Sequence, residues 1–82
     1  SVVGRHVNFE AGSLTANFHN DKVDKEIYVR YDDKTMRTNV NKFGSMIGDY
    51  SKIGANAVLS PGTILQQASI VGRLQLVNQH SE

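Results

Sequence analysis

From Ile47 onward the sequence counts in sixes. Cut as IGDYSK-IGANAV-LSPGTI-LQQASI-VGRLQL-VN, every piece opens with Ile, Leu or Val. Gly follows in three of the five full pieces, and Ser, Ala or Thr fills the fifth place of the first four. A helix would repeat its apolar positions at i+3, i+4 and i+7, so a strict i+6 excludes it. A period of six marks a hexapeptide solenoid, in which three hexads close one triangular coil of about 18 residues. Each hexad gives a short strand and a corner, and coils stack at roughly the 4.8 Å spacing of paired strands. The first place must then be aliphatic, because it points inward and stacks on the residue 18 positions later. The fifth place sits inward beside a corner and takes only a small side chain. Gly at the second place is expected to relax the backbone where the chain turns.

The frame extends backwards. VGRHVN-FEAGSL-TANFHN from Val3 and NKFGSM from Asn41 fit it, so the first places are Val3, Phe9, Thr15, Asn41, Ile47, Ile53, Leu59, Leu65, Val71 and Val77. The two polar ones, Thr15 and Asn41, flank the only break, Asp21 to Val40. That break holds ten of the seventeen charged residues, so most of it lies outside any core. Within it Ile27, Val29 and Tyr31 alternate with Glu26, Tyr28 and Arg30, the period of a half-buried strand. Asp32-Asp33 reads as a turn and residues 34–38 as the returning strand. Charged residues here, such as Lys25 and Asp33, are expected to tolerate substitution. The fold is therefore read as all-β: one domain over residues 1–82, a parallel β-helix of about three coils, with one β-hairpin projecting from residues 21–40. Residues just before the inward places face out, and Val58 with Leu76, and Met46 with Ile64, form apolar stripes there. Contiguous apolar surface implies a covering partner.

Several classes fall away. Nine basic against eight acidic residues leave no charge argument for nucleic acid or an anionic membrane. No apolar run approaches the 18 or so residues of a membrane span. With no cysteine there is no thiol chemistry. His6, His19 and His80 share no face or spacing that would hold a metal, which argues against a zinc carbonic anhydrase on the same coil. Flat ranks of outward Thr, as an ice-binding coil would need, are missing. Ser1 is not an initiator Met, and the chain reads as a piece of something larger.

The run GSLTANF (Gly12 to Phe18), followed by NKFGSMIGDYSKIGANAVLSPGTI (Asn41 to Ile64), resembles the C-terminal half of sugar-phosphate nucleotidyltransferases. The family includes bifunctional UDP-N-acetylglucosamine pyrophosphorylase/glucosamine-1-phosphate N-acetyltransferases, whose matching text is similar to GxxTANYDG and NKFKTIIGDxxxIG. The resemblance implies a left-handed parallel β-helix after a Rossmann-like domain, a homotrimer and a cytoplasmic protein. It implies acetyl-CoA and a sugar phosphate as ligands, with Mg2+ bound only by the N-terminal domain. By position, Asn17 would contact the acetyl group and sugar amine, with Phe18 where the family has Tyr. Lys42 would lie near substrate phosphate or coenzyme, and Ala11, Ala55 and Gly72 would line the acetyl-CoA site. The family's His base falls before Ser1, so none of this chain's histidines is given that role, and the piece alone is expected to be inactive. A trimerisation scaffold without acyl transfer is the rival expectation.

Overall fold

The computed structural model describes residues 1–20 and 25–79. Among these there are strands and no helix: β1 (Val2–Val3), β2 (Asn8–Phe9), β3 (Leu14–Thr15), β4 (Tyr28–Tyr31), β5 (Lys34–Arg37), β6 (Met46–Ile47), β7 (Lys52–Ile53), β8 (Val58–Leu59), β9 (Ile64–Leu65), β10 (Ile70–Val71) and β11 (Leu76–Val77). Nine of the ten first places end a two-residue strand. They assemble into three parallel three-stranded sheets: β1-β6-β9 (sheet I), β2-β7-β10 (sheet II) and β3-β8-β11 (sheet III). The chain visits the sheets in turn, which makes a three-coil β-helix. Ile47 pairs with Leu65 and Ile53 with Val71, as a separation of 18 requires.

Val3 pairs with Ile47, 44 positions on, so the first turn carries 26 extra residues. Asn41 is exposed and lies in no strand. It belongs to that insertion rather than to the ladder, and the coils number three. Thr15 keeps its rung, paired with Leu59, and its hydroxyl meets Ser1 Oγ at 3.1 Å.

Ile47, Ile53, Ala57, Leu59 and Val71 form the core, with Val7, Leu65 and Val77 packed against it. The middle coil supplies most of it because, among the described residues, only that coil is covered on both sides. Inward Val3 and Phe9 of the first coil remain 48% and 37% exposed. Ser45, Ser51, Ala57 and Thr63 at fifth places are buried. Their size is one requirement; at three fifth places the hydroxyl serves another. Ser13, Thr63 and Ser69 each donate to the carbonyl three residues back, at 2.6 Å, tying the corner shut.

The turns themselves differ from expectation. Positive φ falls on the fourth place of seven hexads, at His6, Gly12, Tyr50, Asn56, Gly62, Ala68 and Leu74, and not on the second. Each corner stacks through its fourth-place N–H: Tyr50 donates to Arg5 O and Ala68 to Asp49 O, Asn56 to Ala11 O and Leu74 to Ala55 O. Of the second-place glycines, Gly4, Gly48 and Gly54 serve close approach instead. A Cβ on Gly54 would lie 2.5 Å from Arg73 N and 2.6 Å from Gly72 C in the next coil.

The hairpin lies where it was expected, with β4 and β5 antiparallel and Tyr31 opposite Lys34. Asp32 and Asp33, at φ 51° and 60°, form its two-residue loop, the twist that matches a hairpin. Ile27 and Val29 are buried. The hairpin docks over Gly62, whose Cβ would come within 2.6 Å of Tyr28 O and 2.9 Å of Ile27 Cγ2. Arg37 holds Glu26 through Nε at 3.0 Å and Nη2 at 2.6 Å. That pair, led by the Arg37 hydrogen bond, lowers the Glu26 pKa. The first four residues of the insertion's charged stretch, 21–24, and His80 lie outside the described residues.

Candidate functional site

The six candidate residues fall into two groups, on the two corners that bound sheet III. Ala11, Ala55 and Gly72 share the corner between sheets II and III, one in each coil. Ala11 O accepts from Asn56 N at 3.0 Å, and Ala55 O from Leu74 N at 2.9 Å. This corner is braced by a contact that no local pattern reveals. The Glu10 carboxylate accepts from Ala55 N at 3.0 Å and from Arg73 Nε and Nη2 at 3.0 and 3.1 Å, so one side chain spans all three coils. The Arg73 hydrogen bonds, and then the Ala55 N–H, hold the Glu10 carboxyl below the usual carboxylate range. The same contact raises Arg73.

Beside this corner, on the outer face of sheet II, lies a groove of about 440 Å³. Gly54 and Gly72 give it a backbone floor, Lys52 and the ion-paired Glu10 and Arg73 border it, and Asn8 and Ile70 stand on its outward rungs. Strand alternation explains the membership: Asn8, Lys52 and Ile70 are the outward rungs of one ladder. Of the candidates, only Gly72 lines the groove; Ala11 and Ala55 sit at the corner next to it.

The second group marks the neck of the insertion. Phe43 N donates to Asn17 O at 3.0 Å, closing the base of the loop and bringing Asn17 beside the Lys42 segment. Asn17 and Lys42 are exposed, and Phe18 is half-buried. Lys25 is more than a solvated charge. Its Nζ lies 5.3 Å from the Phe18 ring centre and donates to His19 O at 3.0 Å and Asn20 O at 3.1 Å. Substitution there is therefore not expected to be silent. His6 stacks on Tyr50 at the opposite corner, with ring centres 5.2 Å apart.

Between the two corners runs the outer face of sheet III. Leu14, Val58 and Leu76 form one apolar ladder there, with Leu14 50% and Leu76 62% exposed. Sheet I carries a second, Val2, Met46 and Ile64. Sheet II is the polar face. Lys52, Glu10 and Arg73 escaped sequence reasoning because Glu10 and Arg73 are 63 positions apart, and only the coil count could have paired them. No helix long and apolar enough to cross a membrane, and no cluster of three metal-binding side chains, occurs among the described residues.

No protein-family model matches the chain. Over its full 82 residues it is 32% identical to a "Bifunctional protein GlmU" of Methanococcus maripaludis and 33% identical to one of Methanococcus vannielii. Over 62 residues, 76% of the chain, it is 37% identical to a "Bifunctional sugar-1-phosphate nucleotidylyltransferase/acetyltransferase" of Sulfurisphaera tokodaii. The chain spans 19% of the length of the Methanococcus proteins and matches 15% of the Sulfurisphaera protein.

Proposed function

This chain belongs with the bifunctional sugar-phosphate nucleotidyltransferase/acetyltransferases, as a homologue of about a fifth of their length, and on that premise we propose that it contributes acyl-CoA binding, sugar-phosphate binding and trimerisation to such an enzyme in the cytoplasm. One observation carries the proposal. Ala11, Ala55 and Gly72 gather on one corner, beside a groove bordered by Lys52 and the Glu10–Arg73 pair.

Each part has chemistry to offer. Lys and Arg suit the phosphates of a coenzyme, and Ile70 offers an apolar wall to its pantetheine arm. Acyl transfer to an amine develops an oxyanion, which needs a donor already aimed at it. Asn17 lies on the other corner of sheet III from the groove, so its amide would supply one to a coenzyme held by a neighbouring copy, with Lys42 serving the sugar phosphate. Phe18 gives the site a ring without the hydroxyl of Tyr. No base is assigned within residues 1–82, and Mg2+ would serve only nucleotidyl transfer elsewhere in the enzyme. Acetyl-CoA is the proposed donor.

Titration calorimetry with acetyl-CoA and coenzyme A tests this. The protein should bind both, and Lys52→Gln should weaken binding at least about fivefold, as loss of a charge-assisted contact does. Absence of heat at millimolar ligand would sink the acyl-donor part. The apolar ladders of sheets I and III favour a second reading, a scaffold that trimerises the enzyme without acyl transfer, and that outcome would leave it standing.

A further inference from the structure

Among the described residues the third coil is bounded by a sheet edge, and such an edge presents unpaired N–H and C=O groups to any passing strand. The preceding coil shows which groups these are. Met46 N donates to Thr63 O at 2.9 Å, and Gly54 N donates to Val71 O at 2.8 Å. One coil later, the equivalent groups belong to Ile64 and Gly72, and a fourth coil would have to satisfy them.

Side chains take that place. The Gln79 carboxamide accepts from Ile64 N at 2.8 Å and donates through Nε2 to Ile64 O at 2.8 Å. It makes the same two-point contact as a neighbouring parallel strand. Gln75 Oε1 accepts from Gly72 N at 2.8 Å. The steric setting agrees: a Cβ on Gly54 would strike the next coil's backbone, whereas one on Gly72 would meet only Gln75 Oε1, at 3.5 Å. Gln75 stands where further backbone would run. Glutamine suits this task because its amide carries the same donor and acceptor as a peptide group.

We infer that Gln79 and Gln75 block the third coil's edge at sheets I and II against strand addition by another copy.

Two measurements decide the matter. In the unaltered protein, amide hydrogen exchange should protect Ile64 and Gly72 about as well as Met46 and Gly54. Exchange at the rate of a free edge would overturn the inference without any variant. In Gln79→Leu/Gln75→Leu, both amides should exchange at least about fivefold faster, the change expected for one hydrogen bond. Sedimentation velocity should then show assembly size growing with concentration, while the unaltered protein keeps one size. A variant that loses protection, or loses thermal stability, yet keeps that one size also overturns it.

Discussion

Ile53 occupies the central rung of sheet II, between Phe9 and Val71, and is 1% exposed. Ile53→Ala should therefore cost about 2–5 kcal/mol, the range for a large-to-small change in a packed core. Chemical denaturation followed by circular dichroism would measure it. Ile53→Asp should not fold, because it leaves a buried charge unpaired. Glu10 makes a different prediction, about pH. Its folded pKa is lowered by Arg73 and Ala55, so its contribution is complete above the ordinary glutamate value of about 4.3 and is lost as pH falls through the lower folded value. NMR titration should place the Glu10 midpoint below that of a free glutamate, and Arg73→Gln should move it up. An unchanged midpoint in the variant would remove Arg73 as the cause. The inward residues were legible in the sequence because a period of six places each side chain on a fixed rung. The Glu10–Arg73 brace was not, since it depends on which corners stack. Nor was the role of the second-place glycine, for composition alone does not distinguish a turn from a close approach. Asn17 and Lys42 were legible as motif letters; the Phe43 N–Asn17 O bond that brings their segments side by side followed only from how the insertion closes.

The hairpin is the one element that does not follow the period, and its own rules made it legible. Alternation marked β4, and the two aspartates marked the turn. Both stand at positive φ, where Gly is easier than Asp. Asp33→Gly should leave the hairpin intact and change stability by no more than about 1 kcal/mol. Gly62→Ala should do the reverse, pushing Tyr28 and Ile27 off the coil. A thermal shift for Gly62→Ala no larger than that for Asp33→Gly would mean the hairpin is not seated on that corner. What the sequence hid was the size of the insertion. Asn41 and its neighbours imitate a hexad, and only the pairing of Val3 with Ile47 shows that this one is not a rung.

For the whole molecule, two of three outer faces are apolar and one is polar. Triangular units with such faces can hide the apolar ones in a closed ring, which leaves no growing surface. Light scattering should give about three times the 9.1 kDa of one chain, and Leu76→Lys with Val58→Glu should shift the mass toward the monomer. A monomer in the unaltered protein would end the trimer proposal. The unequal separations along the ladder carry a further consequence, for the order of events in folding. The second and third coils meet across 18 residues, the first and second across 44. Closing the longer span costs more chain entropy, by about 0.8 kcal/mol on the logarithmic law for flexible loops. The later coils should thus zip first, and the opening residues, though earliest in the chain, should join last and fray first.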